Sequence, residues 1–339
     1  MSSIAEQVLP FSDFLSSKPN LRYLFFGGKG GVGKTVVAAG AAYYLAEKMG
    51  KKTLLSSTNP VHSLSNLFGI DIWGKGITKI PNTRNLSAIE MDITRTIEKY
   101  KSDIADRMRH FLKYADMPVN IDPFVDIATT NPAFEESAMF DDITNLMLSK
   151  EFEAIVFDTA PVAHTYRLLG MSRMYDMWLH KMVKSREETL SLRVKLSFRK
   201  EKVMQELKKD PLLGQLLETR KRTEEARKLL TDSESTAFFF VTLPLALPIA
   251  VIERFVVWVR AFNIPVGGVI VNSLLPKTLD QQVTSPYVIN KIAEQEAYLK
   301  TIHEKFPGLV RGHVPSLEGE GVGIEMIAKI ADALERRNM

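Results

Sequence analysis

The chain has 339 residues, no cysteine, 45% hydrophobic and 25% charged residues, and a net charge of +4. A chain this apolar is globular rather than disordered, and with no thiol it has no disulfide framework, no cysteine nucleophile and no thiolate metal site. The opening MSSIAEQVLPFSDF has no basic stretch ahead of an apolar core, and the longest apolar run, Ala237–Ile252, is broken by Pro244 and Pro248. Such a run is too short for the roughly 20 residues that span a bilayer. A soluble, cytoplasmic protein is expected, reaching a membrane only by peripheral contact.

In chain order, short aromatic and β-branched runs alternate with helical patterns. Tyr23–Phe26 stands before a glycine cluster, Thr53–Ser57 follows an alanine-rich helix, and Glu153–Asp158, Phe238–Thr242, Gly268–Asn272 and Val310–Val314 are later strands of the same kind. Strands separated by helices predict the α/β class, with a mostly parallel sheet flanked by helices.

Two stretches break this rhythm. Residues 93–150 carry an amphipathic helix (Ile93, Ile97, Ile104, Met108, Phe111), a loop punctuated by Pro118, Pro123 and Pro132, and a helix through Met139, Ile143 and Met147. Residues 166–233 are almost wholly helical in pattern and rich in Lys, Arg, Glu and Leu. The predicted organisation is a single domain with its core at about 20–92, 151–165 and 234–339. The two insertions, 93–150 and 166–233, form an α-helical subdomain on it.

Charge and methionine concentrate in those insertions. Trp178–Leu230 holds 15 basic and 8 acidic residues, a balance of +7, leaving −3 for the remainder. This is either a solvated helical face or a docking surface for an acidic partner or anionic membrane; no nucleic-acid motif accompanies it. Ten of the 14 methionines fall between Met91 and Met204, and Met171, Met174, Trp178 and Met182 form a stripe at spacings of 3, 4 and 4. The stripe is either a buried core or a pliable surface for varied apolar partners.

The strongest chemical signal is Gly28-Lys29-Gly30-Gly31-Val32-Gly33-Lys34-Thr35, which fits G-x-x-x-x-G-K-[ST] between a strand and a helix. The glycines let successive N–H groups turn toward phosphates, and the helix N-terminus adds its dipole. Lys34 is expected at the β/γ-phosphates and the Thr35 hydroxyl on Mg²⁺.

Lys29, directly after the first glycine, gives the loop a resemblance to those of MinD-like and nitrogenase-iron-protein-like ATPases. Ser57-Thr58-Asn59-Pro60-Val61-His62-Ser63-Leu64-Ser65 looks like the first switch of one branch of that class. Asp158-Thr159-Ala160-Pro161-Val162-Ala163-His164-Thr165-Tyr166-Arg167 looks like its second. With Asn272-Ser273-Leu274-Leu275 at a strand end, the chain resembles the arsenite-pump-driving and tail-anchored-protein-targeting ATPase family from about residue 20 to 335.

The resemblance implies a P-loop NTPase fold and a homodimer with Mg-ATP at its interface, since this chain has one P-loop. It implies that Lys29 reaches the partner's phosphates, that Asp158 senses magnesium and γ-phosphate, and that Asn272 and Pro315 contact the adenine. Read alone, His62 and His164 are polar groups in turns. In the switches, with Pro60 and Pro161, they relay nucleotide state. The resemblance also makes Met139, Met171, Met174, Trp178 and Met182 candidates for a client groove.

The chain departs from the pattern in four places. Asn59 stands where the family has the aspartate that activates the attacking water, and an amide cannot take the water's proton. Zero cysteine removes both the interfacial zinc pair of targeting members and the metalloid thiols of pump members, so the expected cofactors are ATP and Mg²⁺ without zinc. Leu245 replaces a glutamate of targeting members, and Ala163 replaces a glycine. Three readings follow. The first is an ATPase that binds hydrophobic client helices such as tail-anchored proteins in an ATP-gated groove. The second is the energy-coupling ATPase of a membrane permease for arsenite or another anion. The third is a non-hydrolysing, ATP-switched scaffold.

Overall fold

The computed structural model describes residues 9–58, 63–114, 132–159, 180–181, 184, 188, 211–276, 285–317 and 322–336. The chain divides into two compact units, one of 1–92, 150–166 and 230–339 and one of 93–149 and 167–229.

The first unit is built on eight strands: β1 (Tyr23–Gly27), β2 (Thr53–Ser57), β3 (Thr78–Lys79), β4 (Leu86–Glu90), β5 (Ala154–Asp158), β6 (Thr236–Thr242), β7 (Val266–Leu274) and β8 (Val310–Pro315). Their order across the sheet is β3-β4-β2-β5-β1-β6-β7-β8, and every pairing is parallel except β3 with β4. All six strands expected from the aromatic and β-branched runs are present. β1, β2, β5 and β6 are buried at every position, as a parallel sheet with helices on both faces requires. Phe25 stacks between Phe157 (4.6 Å) and Phe238 (6.1 Å) on one side of the sheet. On the other, Phe239 takes the edges of Phe11 and Phe14.

Helices α1 (Phe11–Ser17), α2 (Lys34–Tyr43, continued as a π-turn over Tyr44–Lys48) and α3 (Ser63–Phe68) belong to this unit. β1 lies between β5 and β6, and the chain leaves it for β2 on one side while β6, β7 and β8 extend the other. The carboxyl end of β1 is therefore a topological switch point, where open α/β sheets hold ligands.

The second unit contains α4 (Ile93–Tyr114), α5 (Pro132–Leu148) and α6 (Pro211–Thr231). α4 packs on α5, and the Thr96 hydroxyl donates to Asp142 Oδ2 at 2.6 Å. Pro132, expected in a loop, instead opens α5, where its missing N–H costs no helical bond. On α6, Thr223, Ala226 and Leu230 are buried while Lys221, Arg227 and Lys228 are exposed, so this part of the basic stretch is the polar face of an amphipathic helix. His180, Lys181 and Lys184 are exposed as well. Among the described residues no helix is long and apolar enough to cross a membrane.

The remaining helices of the first unit are α7 (Ala246–Ala261), α8 (Pro286–Lys305) and α9 (Ile324–Glu335). α9 and α2 pack against one another on the face of the sheet that carries Phe239.

Candidate functional site

The glycine-rich loop runs from the end of β1 into α2. Gly31 (φ 79°) and Gly33 (φ 85°) adopt the left-handed conformation, which L side chains rarely enter. Close packing adds a second constraint. A Cβ on Gly28 would lie 2.4 Å from the Val241 carbonyl oxygen, and one on Gly33 would lie 2.1 Å from Asn272 Nδ2. The Asn272 amide donates to the Val32 carbonyl at 3.0 Å, so the end of β7 pins the loop from below. Gly30 and Gly31 are exposed, and a Cβ on either would meet nothing, leaving that arc of backbone open to a ligand.

Lys34, the first residue of α2, is 9% exposed, and its ammonium donates to the Lys29 carbonyl at 3.3 Å. Burial lowers its pKa, and the nearby Asp158 carboxylate opposes that shift. Lys29 itself is half-buried. A lysine curled onto its own loop exchanges a neutral carbonyl for a phosphate oxygen when an anion enters, a charge-assisted bond stronger than the one it leaves.

One turn further along the floor, the ends of three elements meet. Thr35 Oγ1 donates to Asp158 Oδ2 at 2.7 Å, and Ser57 Oγ donates to the same oxygen at 3.1 Å. Asp158 is fully buried at the end of β5, while its other oxygen, Oδ1, has no hydrogen-bond partner among the described residues. Burial pushes this carboxyl up to about 6, against the lowering effects of the Thr35 bond, the Lys34 charge and the Ser57 bond; Glu90 adds a smaller raising effect. A buried carboxylate oxygen left without a donor, beside a threonine hydroxyl, fits a hard divalent cation that takes oxygen ligands.

Similarity to known proteins covers the whole of this region. The family model for anion-transporting ATPases matches residues 21–336. The chain belongs to that family. It is 29% identical over 322 residues to ATPase get3 of Schizosaccharomyces pombe, covering 94% of this chain and 93% of the relative. It is 29% identical over 316 residues to putative arsenical pump-driving ATPase 2 of Aquifex aeolicus, covering 93% and 99%. It is 31% identical over 294 residues to ATPase GET3C of Arabidopsis thaliana, covering 82% and 73%. The chain is thus an ATPase of the anion-transporting ATPase family, with the mixed α/β, mostly parallel sheet of a P-loop NTPase.

The remaining candidates are distributed unevenly in this ATPase. Asn272 and Pro315 stand at the carboxyl ends of β7 and β8, Asn272 buried and Pro315 exposed. Ser273, next to Asn272, is left-handed at φ 58°. Beyond it Gln295 holds the chain, its Oε1 accepting from Leu275 N–H at 2.8 Å and its Nε2 donating to the Leu275 carbonyl at 3.1 Å. A cleft of about 160 Å³ opens here, walled on one side by Leu243, Pro244, Leu245 and Leu275 and on the other by Ser273, Gln295 and the Lys291–Glu294 ion pair. Leu245 is an exposed part of its apolar wall. Asn59, Pro60, His62, Pro161 and His164 lie outside the described residues, as do Met171, Met174, Trp178 and Met182. Met139 is 8% exposed and shares the buried side of α5 with Ile143 and Met147.

Two working residues went unread in the sequence, Gln295 and Glu90. The second is a buried carboxylate at the end of β4 that accepts from Leu64 N–H at 2.6 Å and from the Ser65 hydroxyl. The periodicity of α8 could have flagged Gln295, a polar residue on the inward face that carries Ile292 and Ile302. No local pattern flags Glu90.

Proposed function

We propose that the chain is a magnesium-dependent ATPase that acts as a homodimer and binds hydrophobic helices of client membrane proteins in an ATP-gated groove. The observation that carries the nucleotide part is the corner of Thr35, Ser57 and Asp158, with the Asp158 Oδ1 acceptor left free beside the phosphate loop. Thr35 and Asp158 are the residues to hold Mg²⁺, which supplies positive charge to the phosphate oxygens. The loop N–H groups and Lys34 bind and orient the phosphates. The cleft next to the end of β7, with leucine and proline on one wall and polar side chains on the other, is of a kind to take a planar base, and Asn272 and Pro315 are assigned to contact it. Lys29 is assigned to the partner's phosphates across the dimer.

Client handling is favoured over metalloid efflux by chemistry. Trivalent arsenic seeks thiolates, and this chain has no cysteine. The methionine stripe Met171, Met174, Trp178 and Met182 supplies a pliable apolar lining in its place. The pump reading is supported by relatives named as putative arsenical pump-driving ATPases, one of which aligns over 99% of its length.

The deciding experiment measures binding of a transmembrane-helix peptide to the purified protein with Mg-ATP, with Mg-ADP and without nucleotide. Binding confined to the ATP condition is expected. Binding that ignores nucleotide, or no binding, overturns the client reading. Arsenite-stimulated hydrolysis would establish the pump reading.

A further inference from the structure

Glu90 is 3% exposed, yet among the described residues no lysine or arginine pairs with it. Its two oxygens instead hold the first turn of α3. Oε1 accepts the Leu64 N–H at 2.6 Å, and Oε2 accepts the Ser65 hydroxyl. Ser65 Oγ in turn accepts the Ile72 N–H at 3.1 Å, so one carboxylate also ties down the turn that follows α3. A buried carboxylate without a cation is costly to desolvate, and here its two hydrogen bonds to α3 are what offset that cost.

The location gives this tie a use. Glu90 pairs in register with Ser57 across β4 and β2. Ser63, the residue before Leu64, places its hydroxyl 3.3 Å from Ser57 Oγ, and Ser57 Oγ donates to Asp158 Oδ2, which also receives Thr35. An unbroken path therefore runs from Glu90 through the first turn of α3, Ser63 and Ser57 to Asp158 and the first turn of the P-loop helix. Thr58, at the other end of the same connection, is held by its N–H to the Asp158 carbonyl at 3.1 Å.

We infer that Glu90 is a positioning residue of the nucleotide site, anchoring α3 so that Ser63 and Ser57 hold the Asp158 corner in the geometry that distinguishes ATP from ADP. The inference rests on the nucleotide-site reading above. Glu90 acts through α3: its hydrogen bonds go to Leu64 and Ser65, on the side of the site where Thr35 and Ser57 meet Asp158.

The test compares wild type, Glu90→Ala and Glu90→Gln by titration with Mg-ADP and with a non-hydrolysable Mg-ATP analogue, so that turnover is not needed. Glu90→Ala is expected to weaken the ATP analogue by about tenfold or more and ADP by about twofold or less, the loss of two hydrogen bonds being felt only where the corner is engaged. Glu90→Gln keeps an acceptor for the Leu64 N–H in its Oε1 and turns the second contact round, its Nε2 donating to Ser65 Oγ, and is expected to restore most of the ATP preference. Equal weakening of both nucleotides in Glu90→Ala marks a purely structural residue and overturns the inference, as does an unchanged ratio. Failure of Glu90→Gln to rescue overturns it too. Wild type that binds neither nucleotide defeats the nucleotide-site reading itself and the inference with it, a result distinct from the other three.

Discussion

The Thr35 hydroxyl and the Asp158 carboxylate are joined at 2.7 Å, linking the first turn of the P-loop helix to the end of β5 across 123 residues of sequence. That carboxylate is destabilised by its own burial: its pKa stands at about 6 against an ordinary 3.8. Between those values the folded state binds more protons than the unfolded one, so stability falls as pH rises through the window. Asp158→Asn removes the buried charge and is expected to raise thermal stability at pH 7 by up to roughly 2–3 kcal/mol, or a few degrees in Tm. The same variant is expected to lose magnesium-dependent nucleotide binding, because an amide oxygen is a far weaker ligand. Calorimetry with and without Mg-ATP reads both effects, and their opposite signs are the diagnostic.

Gly33 and Asn272 form a second coupled pair. Alanine at 33 meets a left-handed φ of 85° and a Cβ position 2.1 Å from Asn272 Nδ2. The conformational strain costs about 1–2 kcal/mol, and displacing Asn272 from the Val32 carbonyl adds the loss of a buried hydrogen bond, about 1 kcal/mol. Gly33→Ala is therefore expected to lose about 2–3 kcal/mol and most nucleotide affinity. In the double variant with Asn272→Ala the clash disappears and only the strain remains. A double-mutant cycle by denaturant unfolding should show a coupling of about 1 kcal/mol or more, with the second substitution costing less than it does alone.

The extent to which this molecule was legible in its sequence differs from element to element. β1, β5 and β6 were readable because strands buried on both faces are nearly continuously apolar, as in YLFF and TAFFFV. β4 was not, because Leu86-Ser-Ala-Ile-Glu has little strand propensity of its own and becomes a strand by pairing with β2. Thr35 and the P-loop glycines were legible because phosphate binding imposes a local spacing. The Asn272–Val32 bond spans 240 residues, and no local rule predicts its acceptor. Glu90 reads as an ordinary exposed acid in one dimension; only the fold reveals that it is buried and holds α3.

His313 supplies a prediction about acid stability. It lies on β8 with Nε2 buried and without a hydrogen-bond partner among the described residues, and the His303 ring from α8 stands edge-on at 6.0 Å. Burial, with a smaller contribution from the His303 charge, holds its pKa down to about 4 instead of the ordinary 6.5. Between those values the unfolded chain binds the additional proton, so stability is lost as pH falls from about 6.5 toward 4, by at most roughly 3 kcal/mol. Urea unfolding of wild type and His313→Gln across this range should show a shallower pH slope in the variant, whatever its absolute stability. Parallel slopes would rule out His313 as the group responsible.

Asn59 bears on turnover. Thr58, the residue before it, is fixed to the Asp158 carbonyl through its N–H at 3.1 Å and its hydroxyl at 3.4 Å, so the chain departs for residue 59 from the wall of the phosphate site. A carboxylate at 59 is able to accept the proton of an attacking water, whereas an amide offers a weak acceptor and two donors. General-base assistance is worth about 10²–10⁴-fold. Asn59→Asp is therefore expected to raise single-turnover hydrolysis at saturating Mg-ATP by at least about tenfold, with ATP affinity altered by no more than about threefold. That split separates a proton acceptor from a binding residue, since a group that only binds substrate moves affinity first. Equal single-turnover rates in the two proteins would assign the water's proton elsewhere and leave residue 59 without a chemical role.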